Sequence, residues 1–230
     1  MTDTPPPTTP IEPKPIQPHA DQDQLMLDET VTIGQRLDLC LADADLGPLL
    51  TARGFNAARL QAGLALQVTT LDKFNLRTRA MAAADGAAEQ VGAADTLARG
   101  RFQEVRDTCR ALFKTAADKR ALLLDGRVPD DRQQFIGLVL NMLKTVRLKS
   151  YSDQLVEFGV TGTQLDALEQ AVDALKAAEM EYTQAYTAGL RATEERNAAY
   201  AALVDWHGTF AALAKVATKD RPDLEARLKF

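Results

Sequence analysis

The chain has 230 residues, 46% of them hydrophobic and only 6% aromatic, so it is long enough to bury a core in one or two domains. Its formal net charge of −5 argues against a general affinity for nucleic acid or for an anionic membrane surface. No apolar run reaches the roughly 18 residues that a membrane-spanning helix needs. Abundant alanine with few aromatic residues favours closely packed helices over a sheet.

The N-terminal segment 1–24 reads as a disordered, proline-rich tail. Seven of the ten prolines lie at or before Pro18, and such a segment buries too little apolar surface to offset the entropy lost on ordering. A solubilising linker or tether is favoured over a proline-rich docking motif. The start lacks the basic and apolar stretches of a secretory signal, and Cys40 and Cys109 are the only cysteines, so we expect a cytoplasmic protein without disulfides.

The rest of the chain reads as two copies of one pattern, over residues 25–128 and 129–230, packed together as one bundle. At an offset of 105, matched positions are Ile33/Leu138, Leu37/Met142, Leu41/Val146, Leu50/Leu155, Gly54/Gly159 and Leu60/Leu165. The segments 108–123 and 209–224 match at an offset of 101 and share seven identities, from Thr108/Thr209 to Leu123/Leu224. The two offsets differ by about one helical turn, which predicts that one of the helices is a turn longer in the first copy.

Each copy is predicted to contain three helical parts. The first is an amphipathic helix, over about 25–44 and 131–149. The second is a short helix that ends at a glycine, Gly54 or Gly159, in the left-handed conformation that closes a helix. The third is long, and Asn56 in the first copy or Thr161 in the second is placed to cap its start.

The third part has a heptad-like apolar spacing. Apolar positions from Leu165 to Ala217 recur at alternating steps of three and four residues, although Glu179, Gly189, Thr193 and Arg196 also fall on this seam. A continuous helix over about 163–217 fits this spacing. The alternative is a hairpin with its tip near Gly189, or near Gly86 in the first copy, which gives a four-helix core. The favoured fold is an all-α, elongated bundle of long coiled-coil-like helices, built by internal duplication.

The sequence contains few residues that could form a catalytic or metal-binding site. His19 and His207 are the only histidines, and His207 has no ligand partner at helical spacing, so a metal site in the bundle is not expected. No glycine-rich phosphate loop is present, and no nucleophile–His–acid set can be assembled. We therefore expect no catalytic, cofactor-binding or metal-binding residues, and no enzymatic activity.

Two groups of residues are candidates for interaction. An aromatic stripe could stack a ligand or line a partner groove, although core packing is favoured; it comprises Tyr182, Tyr186, Tyr200, Trp206 and Phe210. A small basic patch of Lys144, Arg147 and Lys149 could meet a phosphate or an acidic partner, although placement of cations at a helix C-terminus is favoured.

The C-terminal stretch carries a resemblance to a group of proteins. Its pattern of Trp206, Phe210, Ala214, Lys215 and Ala217 resembles the W-x-x-x-F-x-x-x-A-[KR]-x-A ending of uncharacterised bacterial all-helical proteins. The segments FGVTGTQL and RGFNAARL are similar to the glycine-centred start of the preceding helix in those proteins. The charged ending PDLEARLKF departs from their aliphatic one. The resemblance implies an alanine-rich helical fold and no particular activity.

These patterns predict a structural or protein-interaction module that acts without catalysis and self-associates. The alternative is a helical bundle that binds a small molecule or lipid through the aromatic stripe. The expected partners are proteins, including a second copy of the chain, with no specific nucleic acid.

Overall fold

The computed structural model describes residues 20–228, and all regular secondary structure within that range is helical. The all-α fold class is thus confirmed. The helices are α1 Ala20–Ala42, α2 Leu46–Thr51, α3 Ala57–Leu112, α4 Ala116–Ala121, α5 Arg132–Val146, α6 Lys149–Glu157, α7 Gly162–Thr218 and α8 Pro222–Leu228.

The predicted tail, residues 1–24, lies outside the described residues up to position 19. Its remaining part, 20–24, is helical, because α1 begins at Ala20 rather than at position 25. The segment DQDQLMLDE at this end of α1 contains acidic and amide residues that are compatible with a helix, and no proline follows Pro18 until Pro48.

The long helices α3 and α7 are continuous, with 56 and 57 residues, so the hairpin alternative is wrong. Gly86 and Gly189, the proposed tips, lie inside these helices. A glycine within a helix costs about 1 kcal/mol relative to alanine, which the surrounding alanine-rich turns tolerate. The nearly equal lengths also mean that the one-turn excess predicted for the first copy does not appear in the long helices α3 and α7.

The predicted seam of α7 is buried as its spacing indicates. Leu165, Leu168, Val172 and Leu175 are at most 3% exposed. Of the four unfavourable seam residues, Gly189 and Arg196 are buried, whereas Glu179 and Thr193 are half-buried. A Cβ atom at Gly189 would lie 3.1 Å from the Met81 sulfur, so glycine allows the Met81 side chain to pack against α7.

The order of long, short, very long and short helices occurs twice, which supports the predicted duplication. Gly54 and Gly159 end the short helices α2 and α6 with φ of +85° and +88°. The fully buried positions of α1 and α5, however, match at an offset of 106 rather than 105: Ile33/Val139, Leu37/Leu143 and Cys40/Val146. Leu41 and Leu138, which the sequence pairing placed in the core, are only half-buried.

The described chain divides into two compact units. Unit 1 comprises residues 83–185, and unit 2 comprises residues 20–82 with 186–228. Each unit has its own apolar core, and each core contains residues from both predicted copies. The units therefore do not coincide with the predicted halves 25–128 and 129–230, because α3 and α7 each contribute one end to each unit.

Candidate functional site

The aromatic stripe predicted as a ligand surface is divided between the two units. Tyr182 belongs to unit 1, whereas Tyr186, Tyr200, Trp206 and Phe210 belong to unit 2. Trp206 and Phe210 stack at 5.6 Å between ring centroids, and the Phe55 ring meets both of them edge-on. A Cβ atom at Gly63 would collide with the Trp206 ring, so these aromatic rings fill the core of unit 2.

Tyr200 serves a different purpose within unit 2. Its hydroxyl group donates a hydrogen bond to the Glu29 carboxylate and so joins α7 to α1. Burial and the acceptor Glu29 raise the pKa of Tyr200 to about 12. The stripe thus combines core packing with helix-to-helix hydrogen bonding.

Unit 2 contains a polar cluster of Asp23, Arg77 and Arg196, which come from α1, α3 and α7. The two Asp23 carboxylate oxygens accept hydrogen bonds from Arg77 and Arg196, each at 2.5 Å. The Arg196 side chain is only 6% exposed and that of Arg77 is 12% exposed. Burial alone would raise the pKa of Asp23, but the hydrogen bonds and charges of the two guanidinium groups outweigh it and hold that pKa below its usual value.

Neighbouring groups complete this cluster. The Phe74 ring centroid lies 5.1 Å from Cζ of Arg196, which is within cation–π range. Thr193 Oγ1 accepts a hydrogen bond from Arg77 Nε at 3.2 Å. Beside it, Lys73 pairs with Glu195 at 2.8 Å and lowers the pKa of that carboxyl group. The sequence already showed Arg196 as a charged residue in an apolar seam, but its partner Asp23 fell within the predicted tail.

The predicted basic patch is partly neutralised. Arg147 donates hydrogen bonds to Asp166 at 2.8 Å and to Glu169 at 2.7 Å, and these contacts raise its pKa. Arg147 therefore ties the end of α5 to α7. Lys144 and Lys149 are exposed, so two lysines remain of the predicted patch.

A groove of about 550 Å³ opens beside the start of α5 in unit 1. We call it the α5 groove; it is lined by Val91, Arg132, Gln133, Lys176, Glu179, Met180, Tyr182, Thr183 and Gln184. Val91 is 3% exposed and lies at its base, whereas Met180 is 64% exposed. Of the predicted stripe, Tyr182 is the member that lines this groove.

The charged residues of the α5 groove differ in how firmly they are held. Gln133 Nε2 donates to Glu179 at 2.6 Å, so this carboxylate has a close partner. Arg132 Nε is 3.8 Å from Asp95, and that arginine side chain is 44% exposed. Lys176 pairs with Asp173 on the surface at 2.9 Å. Exposed pairs of this kind contribute at most about 1 kcal/mol, so both cations can exchange partners.

Contacts from α3 fix the chain just before α5, beside this groove. Arg99 of α3 donates to the carbonyl oxygens of Pro129 and Asp130 at 2.8 and 3.0 Å, and its guanidinium lies 4.3 Å from the Phe135 ring centroid. Asp131 then caps α5 by accepting from the Gln134 amide at 2.8 Å. Proline and a capping aspartate fix the start of the helix at this point.

The other reactive residue types lie in apolar surroundings. Burial raises the pKa of Cys40 to about 12, with a further contribution from Asp43, and that of Cys109 to about 11. Burial, together with the nearby Arg36, lowers the pKa of His207. Among residues 20–228, no three His, Cys, Asp or Glu side chains are grouped so that they could hold a metal ion. No helix in the same range has the length and apolar character needed to cross a membrane.

Comparison with known proteins gives no match among protein-family models, curated proteins or solved structures.

Proposed function

We propose that this chain is a structural or protein-interaction module that acts without catalysis and self-associates. The observation that carries the proposal is the exposure of large apolar side chains along both long helices, outside the buried seam: Val68, Leu76, Leu97, Met180, Leu190 and Val216, each at least 43% exposed. Single exposed apolar residues are common, but a recurring set along two long helices is typical of surfaces that pack against another protein.

Val68 and Leu76 of α3 offer the sharpest test, because both lie in unit 2 on one stripe of the helix. Sedimentation equilibrium is expected to show a mass above that of one chain, in a concentration-dependent manner. The double variant Val68→Glu with Leu76→Glu should weaken self-association at least tenfold. Thr78→Glu with Ala82→Glu adds the same charge at exposed positions of α3 in the same unit, about a quarter turn or more around the helix from the centre of this stripe, and should leave association within twofold. A chain that stays monomeric throughout contradicts self-association.

The alternative function, binding of a small molecule or lipid, is supported by one observation. Tyr182 borders the α5 groove, whose volume lies within the range of small-molecule sites. Trp206 and Phe210 pack in the core of unit 2, and the Tyr200 hydroxyl group bonds to Glu29. Tyr182 is the member of the stripe that lines the groove, so it carries the support for ligand binding.

A further inference from the structure

Helix α1 has additional N-terminal turns that α5 lacks, and the α5 groove lies beside the start of α5. When the buried positions of the two helices are matched, Ile33 corresponds to Val139. Helix α1 begins at Ala20, far ahead of Ile33, whereas α5 begins at Arg132, much closer to Val139. Relative to these matched positions, α1 begins about six residues earlier than α5. At about 1.5 Å per residue, α1 therefore extends roughly 9 Å farther at its N-terminal end.

In unit 2 these additional turns of α1 cover the long helices. Asp23 lies in them and binds Arg77 of α3 and Arg196 of α7. At the offset of 105 that relates the starts of α3 and α7, the counterpart of Arg77 is Tyr182, and Tyr182 lines the α5 groove. The groove is thus the surface of unit 1 that corresponds to the one covered by the first turns of α1 in unit 2.

The residues of the groove indicate what could cover it. Val91, Met180 and Tyr182 provide an apolar surface, and Arg132 and Lys176 provide two weakly engaged cations. Asp95 already has Arg99 as a close partner at 2.9 Å, so Arg132 is available to another carboxylate. A groove of this size accepts a few side chains of a helix rather than a folded domain.

We propose that the α5 groove binds the first turns of an acidic, amphipathic helix from a partner protein. An apolar side chain of that helix packs on Met180 and Tyr182, and a carboxylate reaches Arg132 and Lys176. The chain's own α1 carries this chemistry, but its Asp23 is already bound within unit 2, so the helix comes from another protein. This inference rests on the proposed role as a protein-interaction module and names its site and partner chemistry.

The test uses the full chain and a fluorescent peptide of residues 20–33, ADQDQLMLDETVTI, because this segment covers the corresponding surface in unit 2. Fluorescence anisotropy should show saturable binding. Arg132→Glu and Lys176→Glu should each weaken binding at least tenfold, and so should a peptide with its acidic residues replaced by amides. Lys144→Glu makes the same charge change on an exposed part of α5 outside the groove and should leave binding within twofold.

Two results would overturn the proposal: no saturable binding to the wild-type chain at several hundred micromolar, or equal loss of binding in the Lys144→Glu and Arg132→Glu variants. Unchanged circular dichroism and melting of each variant exclude unfolding as the cause. Self-association measured by sedimentation on the same samples is independent of the peptide, so failure of the groove is distinguishable from failure of the proposed function.

Discussion

Arg106 and Arg196 are guanidinium groups buried in largely apolar surroundings, and each unit stabilises its charge differently. In unit 1, Arg106 donates to the carbonyl oxygens of Leu124 and Gly126, and burial, with Arg110 nearby, lowers its pKa. In unit 2, Arg196 binds a carboxylate, that of Asp23. A buried charge without such partners is strongly destabilising, so each arginine holds a specific segment in place. Arg106 holds the chain after α4, and Arg196 holds the start of α1.

Replacing Asp23 with asparagine should therefore destabilise unit 2. It removes the charge that faces two buried guanidinium groups, and we expect a loss of about 2–3 kcal/mol in the free energy of unfolding near neutral pH. Urea unfolding followed by the fluorescence of Trp206, the single tryptophan, reports on this unit. Asp28→Asn is the matched control, because Asp28 is exposed on the same helix and should change stability by less than about 0.5 kcal/mol.

The pH dependence of this effect has a defined sign. The native pKa of Asp23 is lowered from its ordinary value of 3.8, so the stabilisation is complete above that value and is lost as the pH falls through the lower native pKa. The wild-type chain should thus be more stable than Asp23→Asn at neutral pH, and the difference should shrink on acidification. A difference that grows as the pH falls would contradict the role of the ionised carboxylate.

On the scale of helices, two glycines have opposite roles: one ends a helix and the other lies within one. Gly159 adopts φ of +88° and ends α6, a conformation that a side chain makes unfavourable. Gly86 lies within the continuous helix α3. An added Cβ atom would meet nothing within 4 Å at either position, so substitution by alanine isolates the backbone effect.

Gly86→Ala is accordingly expected to stabilise unit 1 by up to about 1 kcal/mol, since alanine is the better helix former. Gly159→Ala should destabilise the same unit by about 1–2 kcal/mol, because it forces a left-handed conformation on a residue with a side chain. Urea unfolding followed by circular dichroism at 222 nm measures both variants. Similar destabilisation by the two variants would show that Gly86 lies in a turn and would contradict a continuous α3.

Local periodicity predicts the helical fold class, the short helices that end at a glycine, and the seam of α7. These features could therefore be predicted from the sequence alone. The positions of Leu165, Gly189 and Arg196 on one seam required nothing beyond counting steps of three and four. The polar cluster could not be predicted, because Asp23 and Arg196 are 173 residues apart and nothing local links them. The α5 groove depends on the missing turns of a helix, which becomes visible only when α1 and α5 are compared in three dimensions.

On the scale of the whole molecule, the two compact units do not coincide with the two predicted halves. Unit 2 joins α1 and α2 to the end of α7, and unit 1 joins α5 and α6 to the end of α3. The core of unit 2 shows this directly, since Phe55 packs against Trp206 and Phe210 from the other half. Neither half contains all the apolar surface that buries its own first helix, so each should depend on the other for folding.

The most direct measurement is to produce residues 20–128 and 129–230 as separate fragments and to examine them alone and in equimolar mixture by light scattering and thermal circular dichroism. We expect that neither fragment alone is a cooperatively folded monomer. The mixture should gain helicity and form a complex with one copy of each fragment, melting cooperatively. If either fragment alone is a monomer with a cooperative melting transition, the halves are independent domains, and the division into two units that share both halves is wrong.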